Sequence, residues 1–322
     1  MKKVLAVLLV CIMVTASLVG CGGNRAASQK PTQMILATGG TAGTYHPFGS
    51  AMARIFNSKV QNVNVTAQLT GASIENLRLV NKKEAELAIV QSDMLDYAYN
   101  GKESFREKLP NLTGIAVLYP EVIQLVVRPD SGINTIADLK GKKVGVGAPG
   151  SGTEANFRQL IDVFGLDYQV LTPQYLSFAE SADQFKGKRL DAFLVTAGIP
   201  NSAIQDVSSQ QNIIILSLAD DKITRLTQKY PFLASFTIPA NTYKDQSEVI
   251  KTVAVSATLI VGPQVPEDVV YNITKALFEN QAELAQAHAK GIELTLETAV
   301  KGMPVPFHPG AARYFKEKGV LK

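Results

Sequence analysis

The chain has 322 residues, with 32 Lys and Arg against 28 Asp and Glu, three His, two Cys and no Trp. No basic run reaches five residues, so the charge pattern leaves no footprint for nucleic acid. The cysteines stand at positions 11 and 21, and the histidines at 46, 288 and 308, without metal-ligand spacing.

The N-terminus reads Met1-Lys2-Lys3 followed by an apolar run from Val4 to Val19. A charged start with a core too short for a comfortable span predicts an export signal over residues 1–20. The run ends Leu18-Val19-Gly20-Cys21, which resembles the bacterial lipoprotein box and predicts lipidation at Cys21. Cys11 leaves with the signal, so no internal disulfide is expected. Residues 21–33 are then the lipidated cysteine and a flexible tether, with Asn24–Pro31 polar and small. Removing residues 1–20 leaves 302, more than one core usually holds, so two lobes are expected. No second long apolar segment follows. The expected location is outside the cell, anchored by lipid to the outer face of the cytoplasmic membrane or periplasmic.

Met34–Ala37 predicts a short buried strand, Thr38–Tyr45 a glycine-rich turn, and Pro47 onward a helix with Phe48, Met52, Ile55 and Phe56 on one stripe. The turn holds Gly39, Gly40 and Gly43 with the hydroxyls of Thr41, Thr44 and Tyr45. Such a turn leaves backbone N–H groups bare at the positive end of a helix, a receptor for an anion such as a carboxylate. A plain turn needing glycine for positive φ is the other reading.

Val63–Leu69 alternates as a strand, and Thr70–Ser73 precedes Ile74, Leu77 and Val80 at helical spacing, with Ser73 as N-cap and Glu75 and Asn76 in the first turn. Ala85–Val90 is the next strand and runs into Gln91-Ser92-Asp93, where open α/β sheets bind ligands. Ser92 and Asp93 serve equally well as caps. Leu112–Leu118 is a strand leading to Tyr119-Pro120-Glu121 and the apolar run Val122–Val127. The chain is expected to cross between lobes there. A tyrosine and a carboxylate at that point suit a cleft, the carboxylate matching an amino group, although loop glutamates are usually exposed.

Val144–Ala148 predicts a strand, followed by Pro149–Glu154 and a helix with Phe157, Leu160, Ile161 and Phe164. Gly145, Gly147 and Gly150 spell G-x-G-x-x-G, but two of them fall inside the strand. Thr153-Glu154 stands where a P-loop needs Lys-Ser/Thr. Nucleotide binding is therefore not expected. Val170–Ser177 is strand-like, Ala179–Phe185 a short helix, and Leu190–Val195 a buried strand ending in Thr196–Pro200, a fourth small-residue turn. Ile213–Leu218 and Val253–Val261 read as strands, Ala219–Tyr230 and Pro266–Gly291 as helices, and Phe236–Ala240 as the start of the return. Pro304–Ala311 is a rigid segment before a last short helix.

No catalytic constellation emerges. His288 falls on the polar part of its helix, His46 belongs to the turn, and Pro149 breaks the G-x-S-x-G pattern around Ser151. No carboxylate pair has motif spacing. An enzyme, a metal site and a cofactor are not expected.

The segments ATGGTAGTYHPFG, TGASIENLRLV, AIVQSDMLDYAYNG, LYPEVIQLVV, LKGKKVGVGAPGSGTEAN, DAFLVTAGIPN and VPEDVVYNITKALF together are similar to the TAXI-type solute receptors of tripartite (TRAP) transporters. The resemblance implies an α/β, two-lobed, periplasmic-binding-protein-like clamshell of type II. Lobe 1 would span 34–121 plus 239–322 and lobe 2 would span 122–238. It implies capture of a small organic anion or amino acid, a glutamate-like amino acid or a 2-oxo or dicarboxylate. The partner would be an ion-gradient-driven TRAP membrane permease. Carried over by motif, the ligand contacts are Gly40, Thr41, Gly43, Thr44 and Tyr45, then Ser73 and Asn76, then Gln91 and Ser92. Tyr119 and Glu121 join them from the crossing point, and Ser151, Gly152, Thr153, Thr196 and Ala197 from the other lobe. His46 replaces the family's second aromatic, and no motif supplies an arginine to clamp a carboxylate. The alternative is the substrate-binding lipoprotein of an ATP-driven importer for a sulfonate, phosphonate or vitamin precursor, or a ligand-sensing lipoprotein.

Overall fold

A computed structural model describes residues 31–322, of which Thr32–Lys322 form one compact unit. The expected export signal, Cys11, lipidation at Cys21 and most of the tether lie outside the described residues.

In chain order the elements are β1 Thr32–Ala37, α1 Tyr45–Lys59, β2 Val63–Gln68, α2 Ser73–Asn81, β3 Leu87–Gln91, α3 Ser92–Asn100 and the long β4 Thr113–Val127. Then come β5 Lys143–Gly145, α4 Gly152–Asp162, β6 Thr172–Gln174, α5 Phe178–Lys186, β7 Ala192–Ala197, α6 Ser202–Gln210 and β8 Ile214–Ile215. The chain closes with α7 Asp220–Lys229, β9 Ala234–Ile238, β10 Ile250–Val261, α8 Glu267–Glu279, α9 Gln281–Ala287, α10 Leu296–Ala299 and α11 Pro309–Glu317. The strands form one sheet in the order β2-β1-β3-β10-β4-β7-β5-β6, with β8 on β4 and β9 on β10. β1 pairs in parallel with β2 and β3, and β5 in parallel with β6 and β7. The antiparallel pair β4–β10 joins the two parallel sets. The architecture is the α/β one expected.

The apolar stripe of α1 explains why it docks. Phe48, Met52, Ile55 and Phe56 are all essentially fully buried, in a cluster with β1, β10 and α11. Two hydrophobic clusters are built from residues 34–119 and 257–321 together with Ala155, and two from residues 122–255 together with Ala42. We call these the terminal half and the middle half. The clusters change hands near Ser256, so residues 239–255, expected in lobe 1, pack with the middle half.

Several expectations differ from the fold. β1 begins at Thr32, inside the expected tether, and α1 begins at Tyr45, two residues before Pro47. Tyr119-Pro120-Glu121 does not divide two strands, because β4 runs straight through Pro120. The β4–β10 register shifts between Ser256 and Thr258, where a missing proline N–H is readily absorbed. The helix expected over Pro266–Gly291 breaks twice. Asn280 departs from helical geometry (φ −118°) while its amide bonds Ala276 O, and His288 is extended (φ −155°) with its ring accepting from Lys290 N. His288, expected on the polar part of that helix, is half-buried, its ring packing edge-on against Phe48 at 5.5 Å. The strand expected over Ile213–Leu218 shrinks to two residues, and α6 had no counterpart in the sequence reading.

Candidate functional site

Most strand-end turns meet at one cavity of about 270 Å³. Its wall takes Gly39–Tyr45, Leu69–Ser73, Gln91 and Glu121 from the terminal half and the β4 midpoint. Ala148, Ser151–Thr153, Ser177–Ala179, Thr196 and Ala197 come from the middle half. The starts of α1, α2, α4 and α5 all lie on this wall, each contributing the positive end of a helix dipole.

The Gly39–Gly43 glycines are not there for backbone conformation, because none of the three has a positive φ. Gly40 instead borders open space, and Gly43 lies under the Phe178 ring. No side chain caps α1, and Thr44, Tyr45 and His46 donate their backbone N–H to no acceptor among the described residues. Bare donors of this kind at the positive end of a helix are able to receive an anion.

Glu121 is the one ionisable carboxylate on the wall, and the wall holds no Lys, Arg or His. It is buried, and the Tyr45 hydroxyl donates to its Oε2 at 2.7 Å. Burial pushes its carboxyl well above the ordinary range, the Tyr45 bond pulls against this, and the nearby Asp93 charge adds to it. A cation entering the cavity meets a carboxyl ready to ionise against it. Gln91 and Thr196 each hold a buried side-chain oxygen with no hydrogen-bond partner.

The halves are laced together around the cavity. Gly198 N donates to Thr44 Oγ1 at 3.1 Å, Asn201 Nδ2 to Ala42 O at 3.0 Å, and Ile74 N to Gly150 O at 3.0 Å. Below them the Gln91 amide reaches Asn156 Oδ1 of α4 at 3.0 Å. The Gln91 amide oxygen occupies the place a Cβ on Gly152 would need, so any other residue at 152 would displace the Gln91 amide.

Three expected contacts lie off the wall. Asn76 is buried and spends its amide on Thr38 O (2.6 Å) and Ile89 O (2.8 Å), tying α2 to the sheet. Ser92 faces away as the first residue of α3. Tyr119, two residues before Glu121 on β4, packs edge-on against Phe48 at 5.2 Å and does not line the cavity. Ser73 is on the wall but is not the N-cap. Ala72 holds that place, and Ser73 Oγ accepts from Gln91 N at 3.1 Å. Asp93 neither caps α3 nor reaches the wall. It is buried and takes Asn156 Nδ2 at 2.8 Å. The sequence reading passed over Thr70, Ala72, Ala148 and Phe178. Ser177 and Glu180, which form a capping box, were the available signal for Phe178 at a helix start.

Among the described residues no group of three His, Cys, Asp or Glu is placed to hold a metal, and no helix is long and apolar enough to cross a membrane. The chain is 25% identical over 216 residues to the arginine-binding extracellular protein ArtP of Bacillus subtilis, covering 67% of this chain and 81% of that one. Its fold matches a Bordetella bronchiseptica protein (TM-score 0.54, 16% identity, 89% of this chain and 82% of that). It also matches a putative L-cystine ABC transporter protein of Listeria monocytogenes (TM-score 0.50, 14% identity, 82% and 98%). The architecture is thus that of the periplasmic-type solute-binding proteins, and ArtP is named for binding arginine outside the cell. Residues 36–319 match the NMT1-like family, and the chain belongs to it.

Proposed function

We propose that this protein is an extracytoplasmic receptor for a small α-amino acid. Glu121 carries the reading: a lone buried carboxylate, on a wall otherwise built of hydroxyls, the Gln91 amide, backbone and apolar surface. Its partner in a solute is an ammonium group, and the bare N–H groups at the start of α1 take the carboxylate. The cavity is smaller than the roughly 300–1,000 Å³ typical of drug-sized ligands, in keeping with an amino acid. ArtP is named for arginine, yet this wall has no second carboxylate for a guanidinium, which favours an uncharged or acidic side chain. A 2-oxo acid, dicarboxylate, sulfonate or phosphonate lacking an amine would set its charge beside Glu121 with no cation on the wall to offset it.

The ligand contacts are then Gly40, Thr41, Gly43, Thr44, Tyr45, Ser73, Gln91 and Glu121 from one side. Ser151, Gly152, Thr153, Thr196 and Ala197 act from the other. The two halves, residues 34–121 with 256–322 and residues 122–255, close about β4 and β10, with solute favouring the closed form. Solution scattering with identical dimensions in the presence and absence of solute would remove the hinge. Cys21 carries the lipid, and intact mass of exported protein lacking a diacylglycerol would remove the anchor.

A thermal-shift panel of amino acids, 2-oxo acids, dicarboxylates, sulfonates and phosphonates tests the solute. A solute at 100 times its Kd stabilises the folded chain by about 3 kcal/mol. Amino-acid hits support the reading, whereas a hit on an amine-free sulfonate or phosphonate with silence among amino acids overturns it. An ATP-driven importer is the favoured recipient, since the Listeria relative is named for one. The motif order shared with TAXI receptors favours a TRAP permease as the second. Uptake into vesicles that requires ATP, or instead an ion gradient, separates them.

A further inference from the structure

Behind the cavity wall, α3 and α4 meet through a chain of four polar side chains whose direction is fixed at one end. Asp93 is buried, and burial pushes its carboxyl up to about 6, so at neutral pH it is an acceptor only. Its Oδ1 accepts from Met94 N at 2.7 Å, and its Oδ2 accepts from Asn156 Nδ2 at 2.8 Å. Asn156 therefore turns its nitrogen toward Asp93, and the same nitrogen also donates to Gln159 Oε1 at 3.0 Å. That leaves Asn156 Oδ1 facing the cavity side, where it can only accept. Gln91 meets it with Nε2 at 3.0 Å. The orientation of the Gln91 amide follows: its nitrogen is used, and its oxygen lies at the wall against Gly152, buried and without a donor. An amide oxygen and nitrogen are nearly interchangeable in shape, so this polarity is set by the network and not by packing.

We infer that Asp93 and Asn156 are positioning residues that hold the Gln91 amide oxygen, not its nitrogen, toward the solute, so that the cleft favours an N–H donor over the matching 2-oxo acid. This rests on the amino-acid reading and deepens it. The buried oxygen lacks a donor, and a solute ammonium supplies one that a keto oxygen does not. Neither Asp93 nor Asn156 lies on the wall, so they act through Gln91 alone.

Asp93→Asn tests this with one isosteric change. Its new amide donates toward Asn156 while its oxygen still accepts from Met94 N. The Asn156 and Gln91 amides then reverse, and Gln91 presents Nε2. Titrations of the purified chain with L-glutamate against 2-oxoglutarate, and L-alanine against pyruvate, read the amine-to-keto affinity ratio. The ratio is expected to fall at least tenfold in Asp93→Asn. It is expected not to change further when Asp93→Asn is added to Gln91→Met, whose own ratio is already reduced. A folded Asp93→Asn protein with an unchanged ratio overturns the relay, as does a fall that persists in the Gln91→Met background. Neutron diffraction on perdeuterated, solute-free protein reads the amide directions directly. Deuterium on the Gln91 atom facing Gly152 in the unsubstituted chain overturns the relay on its own. If no amino acid binds the unsubstituted chain, the amino-acid reading fails, and the neutron map alone then judges the relay.

Discussion

Helices enter the cleft from both halves, but they begin differently. In the middle half every helix start near the cavity satisfies itself: Ser151 Oγ takes Glu154 N, Ser177 forms a capping box with Glu180, and Asn201 takes the N–H of Ala203 and Ile204. In the terminal half α1, α2 and α3 have no side-chain cap at all. α2 spends its first N–H groups on Gly150 O of the other half, and α1 leaves its own bare. Self-capped helices are stable before anything binds, whereas an uncapped one completes its bonding with a partner. On the proposed amino-acid reading, charge recognition falls to the α1 turn and Glu121, and shape and closure to the middle half.

Glu121 should give the largest effect, because it is the wall's only counter-charge for an amine. Glu121→Gln keeps an acceptor for the Tyr45 hydroxyl but removes the charge. Amino-acid affinity is expected to fall on the order of 100-fold, within the range for a charge-assisted hydrogen bond, with binding of a 2-oxo acid not weakened. Calorimetry checks both. In the unsubstituted protein the same group should release protons as an amino acid binds, because the ammonium favours ionised Glu121. Titration in two buffers of different ionisation enthalpy measures that release, and its absence would place the amine elsewhere.

Stability should respond to pH through the groups buried beneath the uncapped helices. Burial raises Asp93 from 3.8 to about 6 and Glu121 in the same direction. The folded chain therefore keeps protons that the unfolded chain has lost. Their contribution is full below about pH 4, and the Asp93 share is lost as pH rises through about 6. Denaturant melts of Asp93→Asn should show less of this decline than the unsubstituted chain. Equal slopes over pH 4 to 6 would mean that Asp93 is not the source.

The comparison also shows what the sequence could reveal. α1 was legible because its apolar stripe and its glycine-hydroxyl turn are contiguous in the chain, and both depend on local geometry. Capping serines are local too, and Ser151 and Ser177 advertise themselves. Asn76, Ser92 and Tyr119 were misplaced because turn composition says nothing of which way a side chain points once strands pair. Tyr119 and Glu121 share the continuous strand β4, and which of them meets the cavity depends on Phe48 and Tyr45, partners more than 70 residues away. The Asp93–Asn156–Gln91 chain joins residues more than 60 apart in sequence. No periodicity could link them.

Removing a cap from the self-satisfied side should cost stability rather than recognition. Ser151→Ala leaves the Glu154 N–H without its side-chain acceptor and is expected to destabilise the chain by about 1 kcal/mol. Ser151 and Ser177 both line the cavity, but only Ser151 is among the proposed ligand contacts, so Ser177→Ala is the cleaner companion. It should lower the denaturation midpoint by a similar amount while leaving the amine-to-keto ratio unchanged. A change in that ratio in Ser177→Ala would mean that the middle half reads the amine as well.

The smallest effect should have the opposite sign and lie on the uncapped side. Ala72, the N-cap of α2, sits at φ 77° and ψ −144°, a region that costs a residue with a Cβ roughly 1–3 kcal/mol. Its backbone is held there because Ala72 N bonds Thr70 Oγ1 while Ile74 and Glu75 are drawn to Gly150 across the cleft. Ala72→Gly removes the steric cost but adds about 0.4–1 kcal/mol of unfolded-chain entropy. The expected net is a stabilisation of about 0.5 to 1 kcal/mol in a denaturant melt. If Ala72→Gly destabilises instead, the strain is not stored at this turn. The uncapped start of α2 would then be held by its bonds to Gly150 alone, and closing the halves, rather than the turn itself, would be what sets its geometry.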